Sequence, residues 1–286
     1  MSLAIHPENA DQLAYWNGQA GRHWTDRQEI QDRVLAPITR LLFEAADIQP
    51  GERVIDVGCG CGDTTLEAAA EAGPTGAALG VDISQAMLGR ARERAEGSGL
   101  NAQFQLVDAT VHDFAATGAD WLISRFGVMF FANPALTFAN LRRGLKSGGR
   151  LAFVCWREPK TNPWLMLPFA AMRGRVPPPP ERGPEDPGPF AFADPQRIRR
   201  ILDSAGFVDV GIEARSLELD TAIGQGIEMA LRTALEIGPV ARALDGQPED
   251  IYSAAEGDIR AALQPYIRGE TVPLGASVWI VTARNP

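Results

Sequence analysis

The chain has 286 residues, of which 45% are hydrophobic and 7% aromatic, a composition typical of soluble globular proteins. Its net charge of −9 and isoelectric point near 5.0 argue against a nucleic-acid or membrane-surface partner, since either partner normally requires a basic stripe. Three cysteines are too few for a disulfide framework, and neither a signal peptide nor a membrane-spanning run is recognised. We therefore expect a cytoplasmic protein without membrane or nucleic-acid partners.

Residues 9–46 have the hydrophobic spacing of helices, and Pro37 predicts a turn or kink within them. The beginning of this segment contains a cluster of aromatic rings: Tyr15, Trp16, His23 and Trp24. Two interpretations stay open. The cluster either packs the helices onto the core, or forms a lid whose aromatic faces attract a cationic ligand and exclude water.

A glycine-rich stretch, RVIDVGCGCGDTT, occupies residues 53–65. An apolar run ends at Asp56, and glycines then recur at positions 58, 60 and 62, which predicts a buried strand turning sharply into a helix. A dinucleotide fingerprint would need glycine or alanine where Asp63 stands, and a phosphate-binding P-loop would need lysine there. The stretch therefore favours a small ligand with positive charge over a pyrophosphate.

Further short motifs follow in order along the chain. GVDIS places Asp82 at the end of a second apolar strand, VDAT places Asp108 and Ala109 at the end of a third, and LKSGGRLAFV has a Gly-Gly turn before a fifth. The carboxyl ends of parallel strands border the crevice in which open α/β sheets bind ligands. Asp82 could accept both hydroxyls of a ribose there, although dehydrogenases use an acid in a similar place.

The segment Asp56–Gly62 reads D-V-G-C-G-C-G and matches D/E-x-G-x-G-x-G, the first motif of class I S-adenosylmethionine-dependent methyltransferases. With the later motifs, the chain resembles this family, and within it the ubiquinone/menaquinone-biosynthesis-like small-molecule methyltransferases. The resemblance implies an α/β, Rossmann-like fold. It has a seven-stranded, mostly parallel sheet with an antiparallel last strand, helices on both faces, an N-terminal helical lid and helical cap insertions.

The resemblance also implies S-adenosyl-L-methionine as cofactor. Asp82 is expected to bind the ribose, Asp108 the adenine amino group, and the Ala109 N–H the adenine ring. Ile83 and Met87 are expected on the adenine face, with ordinary core packing equally open for Met87. The full expected cofactor site is Trp16, Trp24, Asp56, Gly58, Cys59, Gly60, Asp82, Ile83, Met87, Asp108, Ala109 and Ser124.

Two residues are candidates for the chemistry. Arg125 follows Ser124 at the end of the fourth strand and is expected to contact the cofactor carboxylate or an anionic substrate, the alternative being an ion pair with a nearby acid. His23 is the best candidate for a general base, although a position at the rim is preferred. The sequence shows no metal-ligand spacing, so no metal is expected.

Four regions are expected, and the last of them is interrupted by an insertion. A Pro-rich cap, including Pro177–Pro180, should place a short helix over the active site. A helical insertion should wall the substrate pocket or form an oligomer contact. The expected boundaries are 1–48 for the lid, 49–156 for the cofactor-binding core, 157–195 for the Pro-rich cap, and 196–286 for the remaining core with its insertion at 222–266.

The expected reaction is in-line transfer of a methyl group to a small, hydrophobic or aromatic metabolite. Such a displacement needs positioning more than acid–base catalysis, because the methyl group is already activated. The alternatives are an NAD-dependent oxidoreductase, which the glycine spacing disfavours, and a non-catalytic S-adenosylmethionine-binding protein. A homo-oligomer also stays open.

Overall fold

The fold is taken from a computed structural model, which describes residues 3–177, 183 and 185–286. Pro178–Pro180 of the proline run noted above therefore lie outside the described residues. The strands are β1 (Arg53–Val57), β2 (Ala77–Asp82), β3 (Ala102–Leu106), β4 (Ala119–Arg125), β5 (Leu145–Trp156), β6 (Val208–Asp220) and β7 (Pro273–Arg284). The helices are α1 (Ala10–Asn17), α2 (Gln19–Asp26), α3 (Gln28–Ala46), α4 (Asp63–Ala72), α5 (Gln85–Ala95), α6 (Pro134–Arg142), α7 (Pro163–Ala171), α8 (Pro195–Ser204), α9 (Gly226–Glu236), α10 (Gly238–Leu244) and α11 (Glu249–Leu263).

Within the described residues, seven strands form one sheet in the order β3-β2-β1-β4-β5-β7-β6. The first five are parallel, and β7 runs antiparallel to both β5 and β6. This confirms the predicted Rossmann-like, mostly parallel sheet with an antiparallel last strand. The chain moves outward from β1 in one direction to β2 and β3 and then restarts on the other side at β4, so a crevice opens at the carboxyl ends of β1 and β4.

The helix α3 runs unbroken from Gln28 to Ala46 with Pro37 inside it, so the predicted turn is wrong. One face of α3 is buried, including Val34, Ile38 and Leu42. Proline removes one backbone hydrogen bond from a helix interior. We infer that burial of this apolar face, at roughly 25 cal/mol per Å², offsets that loss.

The N-terminal helices touch the insertion between β6 and β7. The Arg27 guanidinium pairs with the Glu236 carboxylate of α9, and the Arg242 guanidinium of α10 lies 4.5 Å from the Tyr15 ring centroid. On the other side, α7 packs against α10, α11 and β7. The N-terminal helices and the insertion are therefore in direct contact. Within the described ranges, none of the helices combines the length and apolar character that crossing a bilayer requires.

Candidate active site

A cavity lies at the carboxyl ends of the parallel strands, under α1, α2 and α3. It encloses about 1090 Å³ of space, open solvent included. Among the described residues, its lining comes only from the part of the chain between Asn9 and Phe131. The described residues of the Pro-rich cap and the insertion are not in this lining, and α7 packs on α10, α11 and β7. That these segments wall the substrate pocket stays a prediction.

The glycine-rich loop forms the floor of this cavity, with Gly58, Cys59 and Gly60 in the lining. Gly58 has a φ of 68°, and a Cβ built on it would lie 2.6 Å from the Cα of Gly127. A side chain at position 58 would thus collide with the backbone that leaves β4. The loop can approach a ligand closely because these positions carry no side chain.

Asp82, at the end of β2, points a carboxylate into the cavity. One oxygen accepts the Gly60 N–H at 2.9 Å, and the other accepts the Ser84 N–H at 2.8 Å. Burial raises the pKa of Asp82, and these backbone donors oppose that shift. Each carboxylate oxygen has about two acceptor positions, so each keeps one open. The geometry fits a ligand that presents two adjacent hydroxyl groups.

Asp108, after β3, also lies in the lining, but its carboxylate is occupied by protein donors. It accepts the Thr110 N–H at 2.8 Å, the His6 N–H at 2.8 Å, and the Asn9 side-chain amide at 2.8 and 2.9 Å to its two oxygens. These contacts fill the roughly four acceptor positions of a carboxylate. The contact expected between Asp108 and the adenine amino group therefore has no open acceptor position in this conformation. Ala109 stays in the lining.

Sequence reasoning did not find Asn9, which is buried and also accepts a hydrogen bond from the Ala132 N–H. An asparagine ahead of a helix is normally a cap, so nothing in the sequence linked it to a strand a hundred residues later. Its contacts attach the beginning of the lid to the end of β3.

The tryptophans of the lid both line the cavity. Trp16 meets the Phe130 ring edge-on at a centroid distance of 4.9 Å and lies 6.4 Å from Trp24. The Trp16 carbonyl accepts the Ser84 hydroxyl at 2.8 Å, which attaches the lid to the end of β2. Ile83 and Met87 also line the cavity.

Arg125 reaches the cavity, but it belongs to a compact network of charges. Its guanidinium lies 2.8 Å from Asp63 and 3.6 Å from Asp32, and donates to the Thr39 hydroxyl at 2.5 Å. Arg94 pairs with Asp32 at 3.0 Å and with Asp63 at 3.3 Å. Two acids and two bases therefore balance each other here, and the ion-pair interpretation of Arg125 is the one that the structure shows. Burial, then the neighbouring Asp63, raises the pKa of Asp32.

Three expected site residues lie outside the lining. His23 is half-buried, with its ring nitrogen 3.5 Å from the Gln19 amide, because α2 turns Trp24 and not its neighbour toward the cavity. Ser124 is fully buried, and its hydroxyl donates to the Val57 carbonyl at 2.6 Å. The expected roles of His23 as a base and of Ser124 as a cofactor ligand are therefore corrected.

Asp56 is the third of these residues, and it is also fully buried. One carboxylate oxygen accepts the hydroxyls of Thr64 and Thr65, each at 2.6 Å. Burial raises the pKa of Asp56 to about 6, with the two hydroxyls acting in the opposite direction. Asp56 thus ties the first turn of α4 to β1 and shapes the glycine loop, without contacting the cavity itself.

The structure adds polar lining residues that sequence reasoning missed: Gln12, Gln28, Gln31 and Asp32. Among the described residues, the Gln31 amide nitrogen and the Gln12 amide oxygen are buried without a hydrogen-bond partner. A signal was available for α3, since Gln28 and Gln31 share the face that buries Leu35. Polar side chains on an apolar helix face are candidates for ligand contact.

Phe126 is strained at the point where β4 ends. Its φ is 67°, a region that bulky residues rarely adopt, and its ring stacks on Trp156 at a centroid distance of 4.1 Å. Such outliers persist where the surrounding structure enforces them, and they cluster at functional sites. Phe126 forms part of the apolar wall together with Phe130 and Phe131.

Comparison with known proteins agrees with this geometry. Residues 48–166 match the family model of a methyltransferase domain. An uncharacterized protein of Mycobacterium tuberculosis, Rv1405c, is 36% identical over 128 residues, covering 44% of this chain and 45% of that protein. Aklanonic acid methyltransferase DauC of Streptomyces sp. is 34% identical over 119 residues, covering 41% of this chain and 54% of that protein. The chain thus spans about half the length of these curated relatives.

A solved structure of phosphoethanolamine N-methyltransferase 2 from Haemonchus contortus has the same fold, with a TM-score of 0.58. It is 16% identical, and the match covers 99% of this chain and 61% of that one. The glycine-rich motif, the sheet order and the matched domain model all agree with the resemblance seen in the sequence. Residues 48–166 therefore form a methyltransferase domain, and the fold is the one expected from the resemblance to class I S-adenosylmethionine-dependent methyltransferases.

Proposed function

We propose that the protein transfers a methyl group from S-adenosyl-L-methionine to a small, hydrophobic or aromatic metabolite. The observation that carries the cofactor assignment is Asp82, which keeps one open acceptor position on each carboxylate oxygen at the edge of the cavity. A ribose presents two adjacent hydroxyls that match this pair. Gly58 and Gly60 bring the backbone close beside it, and Ile83 and Met87 offer an apolar surface for the adenine ring.

When bound, the cofactor supplies a methyl group on a sulfonium, which is already activated toward displacement. The chain then has to orient the acceptor and exclude water, and positioning of this kind contributes on the order of 7–11 kcal/mol. Trp16 and Trp24 close the cavity, and aromatic faces stabilise a nearby cation. The described lining contains no histidine, so we assign no general base.

The apolar wall supports a hydrophobic acceptor. Leu35, Phe126, Phe130 and Phe131 all line the cavity. The relative named for aklanonic acid and the structural neighbour named for phosphoethanolamine are both methyltransferases of small molecules. Of these two kinds of acceptor, the apolar wall favours an organic acid with hydrophobic surface over a phosphate ester.

The test is a methyl-transfer assay with a panel of acceptors, read as formation of S-adenosylhomocysteine and of methylated product by mass spectrometry. We expect product from hydrophobic phenols or carboxylic acids and none from phosphoethanolamine. Phe131→Ser, which makes the apolar wall polar without touching Asp82, should raise KM for the acceptor and leave cofactor affinity unchanged. Turnover of phosphoethanolamine alone would contradict the acceptor assignment.

A further inference from the structure

Gln31 of α3 has a buried hydrogen-bond donor that no described residue satisfies. The side chain is 2% exposed and lies in the cavity lining, and its amide nitrogen is without a partner among the described residues. Gln28, one turn earlier on the same face, is buried to a similar degree, but its amide nitrogen and its carbonyl oxygen both have partners. Its amide donates to Asp32, and its carbonyl oxygen accepts the Arg90 guanidinium at 3.1 Å.

Burial of an amide donor without an acceptor is unfavourable, because the donor loses its hydrogen bond to water and gains none in exchange. Native proteins rarely retain such a group unless a ligand, an ion or water completes it. Since Gln31 faces the cavity, the missing acceptor is best supplied by an oxygen of the ligand.

The order of strands along the edge of the sheet shows which part of the ligand lies near the Gln31 amide. Asp108, Asp82, the glycine loop and Arg125 follow one another at the ends of β3, β2, β1 and β4, with about 4.8 Å between neighbouring strands. Adenosine belongs to the Asp82 end in the proposed function, so the amino-acid tail of the cofactor extends toward β4. α3 borders that end, since Asp32 lies 3.6 Å from Arg125.

The charges at this end are already paired with one another. Arg125 pairs with Asp63 and Asp32, and Arg94 joins the same pair. The donor at this end that has no partner among the described residues is the Gln31 amide, and a carboxylate on the ligand supplies the oxygen acceptor that it lacks.

We propose that Gln31 recognises the α-carboxylate of the cofactor through its side-chain amide N–H. This inference rests on the proposed cofactor. It assigns Gln31 a positioning role: a fixed tail sets where the sulfonium lies relative to the acceptor.

The test is calorimetric titration with two probes, S-adenosylhomocysteine and 5′-methylthioadenosine, of which only the first carries the amino-acid tail. Gln31→Leu should weaken S-adenosylhomocysteine binding roughly 10- to 100-fold and leave methylthioadenosine binding unchanged. Gln31→Glu should weaken the first probe further, because a carboxylate would then oppose a carboxylate. Unchanged binding of methylthioadenosine also shows that each variant is folded.

Gln103→Glu is the matched control, since it makes the same chemical change at an exposed position of β3, outside the lining. Equal losses for both probes, no loss for either, or tighter S-adenosylhomocysteine binding in Gln31→Glu would overturn the assignment of Gln31. If the unmodified protein binds neither probe, the proposed function itself fails. The two failures are therefore distinguishable.

Discussion

Asp56 in β1 and Ser124 in β4 bond within the protein and lie outside the described cavity lining. Ser124 and Asp56 stand at positions where the family resemblance predicted cofactor contacts, yet both are fully buried and bonded internally. Their residue types and strand-end positions were visible in the sequence. Which way each side chain points depends on the pleat of the strand and on its neighbours, and motif spacing does not resolve this.

Ser124→Ala tests the structural role of this hydroxyl. Loss of its 2.6 Å bond to the Val57 carbonyl should lower the free energy of unfolding by about 1 kcal/mol. Because Ser124 is outside the lining, the dissociation constant for S-adenosylhomocysteine should stay within about twofold, a change below 0.5 kcal/mol. Urea unfolding and calorimetry measure the two quantities, and a large loss of affinity with unchanged stability would restore the cofactor role.

Asp56 should make stability fall as pH rises. Its pKa is about 6 in the folded chain and 3.8 as an ordinary aspartate, so between these values the folded state binds more protons than the unfolded state. The carboxyl group therefore stabilises the fold below pH 4, and up to about 3 kcal/mol of that contribution is lost as pH rises through 6. Asp56→Asn removes the titration.

The measurement for Asp56 is the difference in free energy of unfolding between wild type and Asp56→Asn across pH 4 to 7.5. Taking the difference cancels the pH dependence that the other carboxylates contribute equally to both proteins. It should shift in favour of the variant as pH rises and level off above about pH 7. A difference that does not change with pH would contradict the raised pKa.

At the scale of elements, the packing of α2 within the lid depends on a glycine. Gly21 is buried, and a Cβ on it would lie 1.9 Å from the Trp16 carbonyl oxygen and 3.0 Å from the Ser84 hydroxyl. Neither α1 nor the start of α5 can accommodate that atom without moving. The close packing of α2 on these two elements therefore requires glycine at position 21.

Gly21→Ala should displace α2 and with it Trp24, weakening S-adenosylhomocysteine binding roughly tenfold, as overpacking costs about 1–3 kcal/mol. Amide hydrogen exchange should accelerate in α1 and α2 and not in the strands. Gly89→Ala is the control, because it lies on α5 with open space around it and should raise stability by roughly 0.5–1 kcal/mol. If binding survives Gly21→Ala intact, α2 does not act as a lid.

The strands of the core were predictable because each combines an apolar run with a glycine or an acid at its end. The continuity of α3 through Pro37 was not, since the prediction was made from one residue while the burial of a whole helix face decided the outcome. The short helix α7 was found, but its packing partners lie far along the chain in α10 and α11. Local patterns carry no information on such distant contacts.

At the scale of the whole molecule, the lid and the C-terminal insertion are linked by charge. Arg27 pairs with Glu236, Arg242 lies over Tyr15, and the Arg33 guanidinium donates to the Ile223 carbonyl at 2.9 Å. The insertion does not line the cavity, so any effect on the ligand must pass through the lid. The sequence placed both segments near the site, and only the folded chain shows that one supports the other.

Glu236→Gln and Arg242→Ala should therefore weaken the attachment of the lid, although neither residue lines the cavity. We expect S-adenosylhomocysteine affinity to fall about two- to fivefold at low salt, since each contact contributes up to about 1 kcal/mol. The loss for Glu236→Gln should shrink as salt screens the pair. Arg268→Ala, which breaks an exposed pair with Glu218 away from the lid, should change nothing. A loss that is equal for all three variants would argue against the link.

The most direct test of the account is calorimetric titration with S-adenosylmethionine, S-adenosylhomocysteine and NAD, repeated on Asp82→Ala. The open acceptor positions of Asp82 predict micromolar binding of both sulfur compounds, no binding of NAD, and loss of affinity in the variant. Binding of NAD, or failure to bind either sulfur compound, would contradict the cofactor assignment.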